Sequence, residues 1–198
     1  MVQKLDYLRE TPSQTAGPYV HIGLSPRDAG FDIYDNQLGE DIAGPDAKGE
    51  RITIQGRVLD GTGAPVRDVL IETWQANADG IYPGRGAVED GFRGWGRVVP
   101  DAEGVFTIKT VKPGAAPGRH DTVMAPHLNL WLVARGINVG LNTRMYFADE
   151  EALNADDAVL NLIEQAHRRD SLLAQPDGDV YRFDIHLQGE RETVFLDI

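Results

Sequence analysis

Any chemistry in this chain falls to histidine, tyrosine, carboxylate, hydroxyl or arginine side chains, because the sequence contains no cysteine and so no thiolate ligand, cysteine nucleophile or disulfide. Its five histidines stand at 21, 120, 127, 167 and 186. No pair of them has the HxH, HExxH or His-x-carboxylate spacing that sets two ligands on one side of an element, so a self-contained metal site is not signalled. His127 is the most informative of the five. In the string HLNLWLV, strand alternation puts it on one face with Asn129, Trp131 and Val133, opposite Leu128, Leu130 and Leu132. On residue type alone it reads as a histidine hydrogen-bonded inside a sheet protein. Ser13, Ser25 and Ser171 lack the strand-to-helix elbow of a nucleophilic serine, and GWGRV at 94–98 does not lead from a strand into a helix as a dinucleotide loop must. The carboxylates Asp149, Glu150, Glu151, Asp156 and Asp157 gather where a helix is expected to start, and negative charge there suits the helix dipole, so a solvated cap accounts for them.

The elements that must position these residues are mostly strands. Residues 1–50 are rich in Gly, Pro and Asp without a sustained period, as in TPSQTAGPY and EDIAGPDAKGE, and read as an irregular arm. From Arg51 the pattern changes. Ile52, Ile54 and Val58 alternate with Thr53, Gln55 and Arg57, a strand with one buried face, and the GTGAP turn leads into a second strand over 68–75. VFTIKTV, HLNLWLV, TRMYF and YRFDIHL add further short strands bounded by Gly, Pro or Asp. One or two short helices are expected within 149–173, where Val159, Leu162, Ile163 and Ala166 share a face. The prediction is a mainly β fold, a β-sandwich domain over 51–198 with a short helical insertion near 149–173.

A chain of 198 residues with 41% hydrophobic content has the apolar material for one packed domain. Its formal net charge of -12 repels phosphate backbones and anionic lipid, which argues against nucleic acid or a membrane surface as partner. No apolar stretch approaches the ~20 residues of a membrane span, and MVQKLDYLRE lacks the apolar segment of a secretory signal; a cytoplasmic location is the default expectation. Taken residue by residue, the sequence describes a β-sandwich without an evident active site.

Four strings add a resemblance. LIETWQANADGIYPG (70–84), the stretch from Thr107 to Glu150, TPSQTAGPYVHIGL (11–24) and YRFDIHLQGERETVFLDI (181–198) together resemble the intradiol ring-cleaving dioxygenases. The resemblance spans nearly the whole chain and implies a transthyretin-like sandwich. It also implies a ferric ion held by two Tyr phenolates and two His imidazoles, hard donors suited to Fe(III), which bind a catechol before dioxygen inserts between its hydroxylated carbons.

Set against that pattern, this chain departs from it. The position of one ligand Tyr, in PGAAP at 113–117, holds Ala116. The first His of the family's HxH strand matches His127, but the second is Asn129, and PGRGAVEDGFRGWG after Tyr82 contains no Tyr. Nearby family positions have become Met124, Gly118 and Arg144. The resemblance therefore implies no catalytic residue and no metal in this chain. It implies instead a partner role: in two-chain members, paralogous alpha and beta sandwiches pair and assemble further, Fe(III) is held by the beta chain, and alpha lines part of the same cleft for a small aromatic acid. The residues so implied here are Thr15, Gly17 and Pro18 in the arm, which also packs on the partner, and Arg135 after the HLNLWLV strand, whose guanidinium suits a carboxylate. Two alternatives stay open. One is a stand-alone transthyretin-like binding or structural module; the other is an active iron enzyme with rearranged ligands drawn from Tyr7, Tyr19, Tyr34, Tyr82, Tyr146 and Tyr181.

Overall fold

In the computed structural model, which describes residues 15–35 and 39–197, the predicted β organisation is present. In chain order the elements are helix α1 (Pro18–Leu24), strands β1 (Arg51–Leu59), β2 (Leu70–Gln75), β3 (Trp95–Val98), β4 (Val105–Val111), β5 (Ala116–Pro117), β6 (Val123–Met124), β7 (His127–Val133) and β8 (Leu141–Phe147), helices α2 (Glu151–Asp156) and α3 (Ala158–Leu162), a 3-10 helix (Ala166–Leu172), and strands β9 (Leu173–Asp177), β10 (Val180–Arg182) and β11 (Ile185–His186). β4 pairs antiparallel along one side of β1, while β10 and then β11 lie parallel along its other side. From β10 the sheet continues through β9, β8, β7 and β2 to β3.

The sheet folds over on itself around one core. Ile52, Ile54 and Val58 of β1 and Phe106 and Ile108 of β4 belong to the same buried cluster as Ile71 of β2, Leu128, Leu130 and Leu132 of β7, and Met145 and Phe147 of β8. Gly56 marks how closely two segments approach within it, since a Cβ there would lie 1.7 Å from the carbonyl oxygen of Phe183. Among the described residues no helix is long and apolar enough to cross a membrane.

Several elements differ from the sequence expectation, each for a local reason. The second strand starts at Leu70 rather than Asp68, which leaves Asp68 free to pair with Arg135. YRFDIHL is split into β10 and β11, because Asp184 turns its carboxylate onto the backbone N–H of Arg57 at 2.8 Å. β3 and β9 had no sequence signal: WGRV is short and LAQPD carries a proline in a polar run. The helical region breaks at Asp157 and again at Ile163, so the anticipated apolar face does not continue; Leu162 is 79% exposed and Leu160 is the buried residue instead.

Residues 39–50, read as part of the arm, lie against the sandwich. Ile42 is 1% exposed within the main core, and Arg51 donates to the carbonyls of Ala43, Gly44, Pro45 and Ala47 at 2.5 to 3.1 Å. A segment held by its carbonyls on one guanidinium needs no hydrophobic period, which is why none is visible. Further upstream, Arg97 of β3 donates to the Leu24 carbonyl at 2.9 Å and so ties the end of α1 to the sheet edge.

Candidate functional site

β2, β7 and β8 run side by side, and their register brings Trp74, Asn129 and Arg144 into one cross-strand row, with His127 opposite Tyr146 one step along. A turn after β2 swings Tyr82 onto this row. That turn is organised by Asn77, whose side-chain oxygen accepts from the backbone N–H groups of Asp79 (3.1 Å) and Ile81 (2.8 Å). Its Gly80 has φ +77° and packs so tightly that a Cβ would lie 1.9 Å from the Ala115 carbonyl oxygen, so only glycine lets the turn close on β5.

The side chains meeting here form a closed hydrogen-bonded set with only one consistent assignment. His127 Nδ1 lies 2.7 Å from the Ala125 carbonyl, which can only accept, so this nitrogen carries the proton. Nε2 is then the acceptor, and the Tyr82 hydroxyl donates to it at 2.9 Å. Tyr82 in turn accepts from the Asn129 amide at 3.1 Å, and the Asn129 oxygen accepts from Arg144 Nε at 3.0 Å. Arg144 also reaches the hydroxyl of Tyr146 at 3.3 Å, and Tyr146 donates to the buried carboxylate of Asp157 at 3.1 Å.

Electrostatics fix the protonation states that this geometry requires. Burial, and secondly the Arg144 guanidinium, lower the His127 pKa from 6.5 to about 4, so the ring is neutral at neutral pH. Burial raises the phenol of Tyr82 above its ordinary value, against the opposing pull of Asn129 and Arg144, and Tyr146 is raised for the same first reason. Both stay protonated.

A ferric ion is not matched by this donor set. The one available imidazole lone pair is taken by the O–H of Tyr82, Ala116 presents a methyl group, Asn129 a neutral amide, and Arg144 places a fixed positive charge beside them. Among the described residues no group of three or more His, Asp or Glu is arranged to hold a metal ion. Tyr82, Asn129 and Arg144 of this set, together with Trp74, Arg85 and Arg119, line an open cleft of ≈ 960 Å³.

The second group of sequence-predicted residues lies at the other end of β7. The Thr15 hydroxyl donates to the Ala134 carbonyl at 3.2 Å and accepts from the Gly136 N–H at 2.7 Å, so it brackets Arg135 on both sides. Arg135 is two-thirds exposed and pairs with Asp68, which raises its pKa further. Gly17 follows in extended backbone as the cap residue before α1, and Pro18 is the first residue of that helix. Thr15 and Arg135 are thus brought together at one end of β7, while His127 stands at the other end with Asn129 two residues along, on the order of 20 Å separating the ends of the strand, and Ala116 is paired with Met124 on β5. The sequence did not mark Arg85, Arg119 or Trp74 as site residues, and it offered Tyr82 only as one of six tyrosines in the rearranged-ligand alternative. The ADGIYPG turn was the available signal for Tyr82.

Comparison with known proteins bears on both groups. Residues 31–189 match the family model described as Dioxygenase. The chain is 50% identical over 198 residues to the protocatechuate 3,4-dioxygenase alpha chain of Pseudomonas putida, covering 98% of each. It is also 38% identical over 160 residues to the protocatechuate 3,4-dioxygenase beta chain of Burkholderia cepacia, covering 73% of this chain and 67% of that one. Among solved structures, hydroxyquinol 1,2-dioxygenase from Pseudomonas putida DLL-E4 superposes with a TM-score of 0.59 at 22% identity, over 75% of this chain and 59% of that one, a likeness of fold.

Proposed function

The chain belongs to the intradiol dioxygenase family, and on that footing we propose that it is the alpha, iron-free subunit of a cytoplasmic protocatechuate 3,4-dioxygenase of aromatic catabolism, paired with a paralogous beta chain in a higher oligomer. The assembled enzyme cleaves protocatechuate with dioxygen between its two hydroxyls to 3-carboxy-cis,cis-muconate. The observation that carries this reading is the 50% identity to an alpha chain over nearly the full length. The donor set around His127, which leaves no free imidazole nitrogen for a ferric ion, agrees with it. Fe(III) held by the beta chain supplies the Lewis-acid chemistry on the catechol oxygens. The contribution of this chain is positional.

Arg135 carries a permanent charge on an exposed loop whose backbone is pinned by Thr15, a suitable arrangement for presenting a guanidinium to a substrate carboxylate across a subunit boundary. Gly17 and Pro18, beside Thr15 in the arm, belong to the same contribution to the beta chain's substrate cleft. The arm they belong to packs on the beta chain, and its exposed Tyr19, Phe31, Ile33 and Tyr34 are the apolar surface that this contact covers.

The test is purification of the chain with and without a co-expressed beta chain. The pair should contain ferric iron, show a visible phenolate-to-iron band and cleave protocatechuate, whereas the chain alone should do none of these. Stoichiometric iron with that band in the chain alone would overturn the assignment.

A further inference from the structure

The cleft over Asn129 and Arg144 has an electrostatic character opposite to that of the chain. The formal net charge is -12, yet of the charged residues lining this cleft three are arginines, Arg85, Arg119 and Arg144, and one is a carboxylate, Asp79. Among the described residues none of the three guanidiniums is in an ion pair. The side chains of Arg85 and Arg119 are exposed and make no hydrogen bond there, although the chain has an excess of carboxylates to offer. Arg144 is half-buried on the floor. It spends Nε on Asn129 and Nη1 on Tyr146 and the Met124 sulfur, and no hydrogen bond to a described residue uses Nη2. The buried Asp157 carboxylate meets Arg144 through the Tyr146 hydroxyl rather than in an ion pair, so Nη2 is the face of this half-buried cation that an anion in the cleft completes.

The wall beside Arg144 is aromatic. Trp74 stands in the same cross-strand row, 37% exposed, and stacks on Tyr82 with ring centroids 6.0 Å apart and planes inclined by 26°. A guanidinium floor, two more guanidiniums at the rim and a flat indole wall together select a planar anion: the ring lies against Trp74 while its carboxylate meets Arg144. At ≈ 960 Å³ the cleft has room for one such molecule with water around it.

We propose that this cleft is a metal-free binding site for a small planar organic carboxylate, built on Arg144, Arg119, Arg85 and Trp74 and separate from the Thr15 and Arg135 group at the far end of β7. The site binds reversibly and carries no reaction. It rests on the arginine and tryptophan geometry alone, not on the identity of any partner chain.

Titration of the full chain with benzoate, followed by calorimetry and by tryptophan fluorescence, tests this. One benzoate per chain should bind with quenching of tryptophan emission. Phenol, planar but uncharged, and cyclohexanecarboxylate, charged but not planar, should each bind at least about tenfold more weakly. Arg144→Gln should weaken benzoate binding about tenfold to a hundredfold, the range of a lost charge-assisted hydrogen bond. Since Gln at 144 could still donate to Asn129, the floor should stay closed; Arg85→Gln and Arg119→Gln, both at exposed positions, give independent variants whose losses do not involve the fold. No binding at millimolar benzoate, equal affinity for phenol, or benzoate affinity unchanged in all three variants would overturn the proposal.

Discussion

The Tyr82 hydroxyl lies 2.9 Å from Nε2 of His127 and gives its proton to it. Because Nδ1 of the same ring is committed to the Ala125 carbonyl at 2.7 Å, both nitrogens of the imidazole are spent inside the chain. His127 is thus held within a network that extends through Tyr82, Asn129, Arg144 and Tyr146 to Asp157. A single substitution at 116 or 129 leaves the bonds of His127 to Ala125 and Tyr82 in place.

For that reason the double substitution Ala116→Tyr with Asn129→His should not create a ferric site. Ala116 is 1% exposed, so a phenol there must displace its packing, and Arg144 keeps its charge within reach of position 129. Metal analysis and visible absorption of the purified double variant should show no stoichiometric iron and no phenolate band. Ring cleavage by this variant without a partner would mean that the network yields more easily than its hydrogen bonds indicate.

His127 should make the fold acid-sensitive in a defined window. Its pKa is lowered from 6.5 to about 4 by burial and by Arg144, so the unfolded chain binds a proton that the folded chain refuses. The stabilisation is fully present above about pH 6.5 and is lost as pH falls through about 4, a change of ~3 kcal/mol at most. Urea midpoints of wild type and His127→Gln at pH 7.5, 5.5 and 4 measure it. The gap between the two proteins should shrink toward low pH, and a constant gap would place the acid sensitivity on other groups.

Asp157 should be among the costlier single losses. Its carboxylate is fully buried and accepts from four donors: the backbone N–H groups of Ala125, Val159 and Leu160, each at 2.9 Å, and the Tyr146 hydroxyl at 3.1 Å. Asp157→Ala strands all four donors, and a cap loss plus unsatisfied buried groups amounts to ~2–4 kcal/mol. Asp157→Asn keeps one oxygen for the cap but turns an NH₂ toward the Ala125 N–H, so it should lose about half as much. Thermal and urea unfolding of the two variants should rank them in that order.

How much of this was legible beforehand follows from the range of the interactions. β1, β4, β7 and β8 announce themselves because alternation is local, and the reading of His127 and Asn129 on one face of β7 needed only that. Asp157 was legible as a helix cap, but the expectation of a solvated one failed, since its burial depends on β6 and β8 packing over it. Asp149 and Glu150 likewise proved to share Lys112, each at 2.8 Å. Tyr82 meets His127 across 45 residues, and no period or spacing in the sequence records such a contact. Ile42 and its neighbours were invisible for a related reason, being held by carbonyls on Arg51 rather than by side-chain pattern.

Arg135 in the assembled enzyme offers the sharpest functional measurement. If its guanidinium receives the substrate carboxylate, Arg135→Ala should lower kcat/KM for protocatechuate about tenfold to a hundredfold, the worth of a charge-assisted hydrogen bond. Iron content should stay the same. The loss for plain catechol, which lacks the carboxylate, should be much smaller, so the ratio between the two substrates is the informative quantity. Asp68 competes for the same guanidinium in the free chain, and Asp68→Asn should therefore leave protocatechuate turnover intact or raise it. Thr15→Val removes both bonds that pin residues 134–136 and should reproduce part of the Arg135→Ala loss with the same substrate dependence. Long-range steering would be erased by salt, because the screening length falls to about 3 Å at 1 M, whereas a direct contact keeps most of its discrimination. Equal losses for both substrates would refute the carboxylate role and assign Arg135, with Asp68 and Thr15, to holding the subunit boundary.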